Sequence, residues 1–116
     1  MEPRRGAYVG TERDGRWWKR ALGDGLFVRG LGSYAIDDLG FVFRRIGVQR
    51  EIVIPFAKMR AVRIGRWHAG RWGARQPIIK IDWEQDGRDL SSGFVIPDRA
   101  EANQLRDELG RRMIAG

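Results

Sequence analysis

The residues best equipped for chemistry fall in one stretch, Gly65-Arg66-Trp67-His68-Ala69-Gly70-Arg71-Trp72-Gly73-Ala74-Arg75-Gln76-Pro77. Gly-Arg-Trp occurs there twice, and the stretch holds three arginines, two tryptophans and no acid. Indole rings beside guanidinium groups offer stacking, cation–π contact and pairing with anions in one place. The site candidates are therefore Arg66, Trp67, His68, Arg71, Trp72 and Arg75, with Arg63 just upstream. Four uses of such a segment are open. The tryptophans can fold back over the end of a β-structure with the arginines stacked on them. They can sit at lipid headgroup level while the arginines attract anionic lipid. They can stack on single-stranded nucleic acid, or they can form the hot spot of a protein interface.

Catalytic chemistry finds much less. His68 is the sole histidine and cysteine is absent, so a Ser-His-Asp triad, a two-histidine metal site and a thiol nucleophile all lack their parts. Asp37-Asp38 is followed by Leu39-Gly40 and reads as a turn. Asp82 and Glu84 alternate with apolar residues and read as the wet face of a strand, and Ser91-Ser92 lacks the setting of a nucleophile elbow. The glycines at 23, 25, 30 and 32 match no phosphate-binding fingerprint. The expectation is a binding module without catalysis, metal or cofactor.

Charge agrees with an anionic partner. The chain of 116 residues carries +7, and residues 39–81 alone carry +9, with ten basic residues against Glu51. A basic band of this kind raises local potential and association rate toward anions. No apolar run approaches the ~20 residues of a membrane-spanning helix, and Met1 to Gly6 leads into no apolar signal region. The sequence thus reads as a cytoplasmic protein, peripheral to the membrane if it meets one. No residue demands an oligomer.

The elements that must hold these residues are mostly strands. Residues 1–15 are polar and aperiodic and read as a flexible lead-in, with a single domain over 16–116. From Arg16 onward short apolar stretches alternate with turn signals. Trp17-Trp18 precedes a turn at Gly23-Asp24-Gly25, and Leu26 to Ile36 is extended, with Gly30 and Gly32 expected to bulge or break it. A hairpin turn follows at Asp37 to Gly40, where Gly40 is available for a positive φ. Phe41 to Arg45, Gln49 to Ile54 and Met59 to Trp67 are strands, with Pro55 closing the second of them. In Ile78 to Glu84, residues Ile79, Ile81 and Trp83 face inward against Lys80, Asp82 and Glu84. Asp86-Gly87 turns the chain into a strand with Leu90, Ser92, Phe94 and Ile96 inward. A helix over 98–113 ends the domain. Asp98 caps it, Glu101 completes a capping box, and Ala102, Leu105, Leu109 and Met113 form its apolar stripe. Gly110 is where fraying should begin.

About seven antiparallel strands and one terminal helix give a mainly β domain, a partly open barrel or sandwich. This order resembles the pleckstrin-homology-like (PH-like) superfold in its small bacterial and GRAM-type versions. Residues 34–43 resemble its second hairpin, 52–62 its strand–Pro–turn–strand unit, and 94–113 its last strand running into the capping helix. The resemblance implies a non-enzymatic interaction domain and seldom a nucleic-acid binder. Phosphoinositide binders of that superfold gather a Lys-x-x-Arg motif on their first strands. Lys19-Arg20 departs from it, so that specificity does not carry over.

Overall fold

In the computed structural model the described residues are 3–13, 16–20, 30–47, 49–65, 67–68, 71–72 and 76–115. Side chains are described for all of these except residues 12–13, 16–20, 30, 67–68, 71–72 and 114–115. Among the described residues ten strands precede one helix. They are β1 (Arg4–Arg13), β2 (Arg16–Arg20), β3 (Gly30–Ile36), β4 (Gly40–Arg45), β5 (Ile52–Pro55), β6 (Met59–Gly65), β7 (Trp67–His68), β8 (Arg71–Trp72), β9 (Ile78–Gln85) and β10 (Arg88–Val95). The helix, α1, spans Arg99–Ala115, and a 3₁₀ turn at Phe56–Lys58 links β5 to β6.

Seven strands form one antiparallel sheet in the order β5-β4-β3-β1-β10-β9-β6, with β2 added beside β1. Strands β3, β4 and β5 pair in chain order, as do β9 and β10, and the first strand pairs with the last, Tyr8 opposite Phe94. Among the described residues the ladder is open only between β5 and β6, and the 3₁₀ turn bridges that seam. Helix α1 packs on β6, the 3₁₀ turn and β9, and so covers the open side. This is the PH-like arrangement expected from the order of elements.

Inward residues of all these strands meet in one core. Phe94 lies at its centre, its ring 4.8 Å from Phe41, 5.1 Å from Phe43 and 5.4 Å from Tyr8. Ile79, Ile81 and Trp83 face inward as the alternation of β9 requires, and Leu105 and Leu109 close the core from α1. On β6 a register shift between Met59 and Ala61 lets both Met59 and Val62 reach the core despite their odd spacing. Polar groups inside the barrel are joined in a chain. The Trp83 indole N–H donates to Ser92 Oγ at 3.0 Å, Ser92 and Thr11 hydroxyls are 2.7 Å apart, and Thr11 and Tyr8 hydroxyls are 2.7 Å apart. Such satisfaction is what lets hydroxyls sit among aromatic rings at little cost.

Several expectations need correction. Residues 1–15 are not a loose lead-in over 4–13, because Arg4–Arg13 is an interior strand paired on both sides with β3 and β10. Gly32 neither bulges nor breaks β3, whose register with β1 and β4 is continuous; a Cβ there would lie 2.2 Å from Arg44 O. Gly40 is not needed for a positive φ, since the described positive-φ glycines are Gly10, Gly47 and Gly87. Its demand is space, as a Cβ would meet Ile54 O at 2.2 Å. The Asp37 carboxylate organises that hairpin, accepting Gly40 N–H at 2.9 Å and Leu39 N–H at 2.8 Å, which hold its carboxyl below the usual range. At Asp86 (φ 54°) and Gly87 (φ 77°) the expected tight turn is present. The turn over 23–25 lies outside the described residues.

At the helix start Asp98 acts as the cap, its carboxylate accepting Ala100 N–H at 2.8 Å. Glu101 does not complete a capping box. Its Oε1 accepts from Arg4 at 3.0 Å, tying the first strand to the helix. The helix runs unbroken through Gly110 to Ala115, slightly past the expected end at 113. A Cβ at Gly110 would meet nothing within 4 Å. Gly110→Ala should therefore stabilise the domain by about 0.5–1 kcal/mol, read as a higher urea midpoint with an unchanged slope. A lower midpoint would contradict this account of the last helical turns.

Candidate functional site

Residues 65–77 leave the sheet where β6 ends, opposite Ile78 on β9. Within them β7 and β8 form a separate two-stranded ribbon. Its register sets Trp67 opposite Trp72 and His68 opposite Arg71, so the doubled Gly-Arg-Trp is folded back on itself. β7 approaches both β1 and β9, the strands on either side of β10. The ribbon therefore lies back against the barrel near the row formed by Gly65, Ile78, Val95 and Ala7. Val95 and Ile78 belong to the outward parity of their strands and are nonetheless buried, as a row covered from outside would be.

Four of the seven residues singled out in the sequence are thus brought together by backbone pairing: Trp67, His68, Arg71 and Trp72. Arg66 and Arg75 lie outside the described residues. Arg63 is placed apart from them, exposed on β6, where its guanidinium forks onto Asp82 with two N···O distances of 3.0 Å. Three positions nearer the start of β6, Arg60 reaches Glu84 at 2.7 Å. The two acids on the wet face of β9, Asp82 and Glu84, are thereby engaged with arginines. Each exposed pair contributes little to stability, about 0–1 kcal/mol, but each cancels charge on this face. On this face the basic charge of β6 is thus offset by acids of β9.

Other candidate chemistry is used structurally. Asp37 holds its turn, and Ser92 is in the buried hydroxyl chain. Among the described residues there is no cluster of three or more acids or histidines able to hold a metal ion. No described helix is long and apolar enough to cross a membrane. Trp17 and Trp18 fall in β2, whose side chains are not described.

One feature had no signal in the sequence. A crevice of about 390 Å³ runs between β3 and α1, with Tyr34 and Ile36 on one side and Leu105 on the other. Arg4, Glu101, Glu108, Arg111 and Arg112 form its rim. Tyr34 appeared only as one apolar residue of a hairpin, and Arg4 as part of a tail. Their meeting depends on β1 being interior.

Compared with protein families, residues 1–110 match the one described as "Bacterial PH domain-like". The chain is a bacterial PH-like domain. The match begins at residue 1 and thus includes β1, in accord with its place inside the sheet. PH-like domains are in general binding modules without catalysis, and they engage proteins or lipids. A search of curated proteins finds no match for this PH-like domain.

Proposed function

We propose that this domain docks without catalysis on an anionic membrane surface, using the 65–77 ribbon as its contact. The observation that carries the reading is the ribbon's register, which gathers Trp67, Trp72, His68 and Arg71 on two adjacent rungs. Arg66 and Arg75 flank them in sequence, with no acid from 65 to 77. Indole rings favour the headgroup layer, and each arginine near an anionic leaflet adds about 1 kcal/mol. Pairing of Arg60 and Arg63 with β9 acids supports the ribbon, rather than the β6 face, as the positive contact. On this reading Arg63 serves as a neighbour of the contact, not its centre.

Sedimentation with phosphatidylglycerol-containing vesicles, against pure phosphatidylcholine, tests it. The protein should pellet only with the anionic vesicles and less so as salt rises. Arg66→Glu with Arg71→Glu should lower partitioning by at least about tenfold. Equal pelleting of the double variant removes the ribbon from the contact. Salt-sensitive binding to single-stranded oligonucleotides, with none to vesicles, would overturn the membrane reading in favour of nucleic acid.

A further inference from the structure

The outer wall of the barrel carries an apolar pair where polar residues would ordinarily stand. Leu31 of β3 lies opposite Ile46, one residue past β4, and the Ile46 N–H donates to Leu31 O at 3.0 Å. Both belong to the outward parity of their strands, since Tyr34, Phe43 and Arg45 take the inward one and are buried. Leu31 is 69% exposed and Ile46 75%. Single exposed aliphatic residues are common on protein surfaces. These two share a rung, however, and the next outward rung is polar, with Ser33 opposite Arg44.

The pair continues the row on which the ribbon lies. Leu31 is opposite Ala7 of β1, and β7 approaches β1, so β3 is the next strand out from the ribbon. Positive charge borders it. Arg5, on the same outward face two residues before Ala7, is exposed and has no ion pair among the described residues. Arg44, by contrast, is engaged with Glu51 at 2.8 Å. On the other side stands the ribbon, with no acid from 65 to 77. A protein partner needs roughly 800 Å² of fitted surface on each side, which two side chains on a convex wall do not supply. A bilayer asks for no such fit. Aliphatic side chains enter among the acyl chains, and guanidinium groups stay with the anionic headgroups.

We propose that Leu31 and Ile46 form a wedge that enters the acyl layer of an anionic bilayer, with Arg5 and the ribbon held at its headgroups. The inference rests on the docking reading above, since the ribbon is what sets this wall against lipid. It adds an uncharged component to binding, one that salt does not screen. The same hairpin carries its own comparison. Leu39 is 75% exposed and sits in the turn at the other end, roughly 20 Å away along the strands. An equal side chain is thereby kept in water.

Partitioning of the full chain onto phosphatidylglycerol-containing vesicles, at low salt and at about 0.5 M salt where surface charge is largely screened, tests this. Leu31→Ser with Ile46→Ser should lower the partitioning that survives high salt by at least about tenfold. Leu39→Ser should leave it unchanged. All three positions are exposed, so both variants should keep the parent's urea midpoint. The chain has no cysteine, so Ile46→Cys takes a single polarity-sensitive dye. That dye should shift to the blue on vesicles and be quenched by lipids with nitroxide on the acyl chain, whereas a dye at Leu39→Cys should stay in water. If the parent pellets with anionic vesicles and the double variant pellets equally, the wedge is overturned and the ribbon stands. If the parent does not pellet with them, both readings fall. An equal loss in Leu39→Ser, or a dye at residue 46 that stays in water, also overturns the wedge. So does a double variant that keeps its vesicle binding but loses self-association in sedimentation equilibrium, which would assign the pair to a second copy of the chain.

Discussion

Phe94→Ala is expected to remove about 3–5 kcal/mol of folding stability. Phe94 is fully buried and touches aromatic rings from β1 and β4, with centroids 4.8 to 5.4 Å away. The hole left by its ring cannot close easily, because Tyr8 is held by the hydroxyl chain and Phe41 by its stack on Tyr34. A domain of this size has roughly 5–15 kcal/mol in total, so the variant should be partly unfolded at room temperature. Phe94→Leu, which keeps most of the volume, should cost far less. Urea denaturation followed by Trp fluorescence compares the two. If Phe94→Ala unfolds within about 1 kcal/mol of the parent chain, the rings are not packed around residue 94 as described.

Gly40→Ala should be nearly as damaging for a different reason. The new methyl would lie 2.2 Å from Ile54 O and 2.8 Å from both Ile54 C and Pro55 Cα. All three atoms are backbone, so no side chain can turn aside, and β5 itself must move. Overpacking costs typically about 1–3 kcal/mol and more where the neighbour is rigid, and here the displaced strand forms one edge of the seam. The loss should appear as a lower melting temperature and as faster amide exchange on β5. The same substitution at Gly110 is expected to act in the opposite direction, so the pair separates space from glycine's intrinsic entropy. A Gly40→Ala protein as stable as its parent would show that β4 and β5 do not approach as closely as this.

How far the fold could be seen in advance depended on what each strand packs against. β9 and β10 alternate cleanly because one face meets a continuous core, and the helix stripe Ala102, Leu105, Leu109 is legible for the same reason. β1 was hidden. Its inward positions are Gly6, Tyr8 and Thr11, where an apolar run would ordinarily stand. Gly6 is small because Val95 O would lie 3.1 Å from a Cβ, and Thr11 is polar because it links the Tyr8 and Ser92 hydroxyls. The register shift between Tyr8 and Gly10 further breaks the period. Ion pairs were likewise out of reach. Arg63 and Asp82 both read as outward, but only the pairing of Arg63 with Lys80 sets Asp82 on the diagonal. The Trp/Arg ribbon stood out through its composition, whereas its cross-strand rungs needed the backbone. The crevice at Tyr34 joins three distant parts of the chain and left no local trace.

The pairing of β1 with β10 sets the order in which this protein can be made. Tyr8 waits for Phe94, and Ala7 for Val95, so the ring of strands cannot join until β10, the last strand of the domain, has left the ribosome. Long-range closure of this kind is slow compared with local hairpins. Until it happens, the nascent β1 has a bare flank that any extended polypeptide could occupy. Early synthesis is therefore the period in which this small domain most needs a chaperone or a shielded exit.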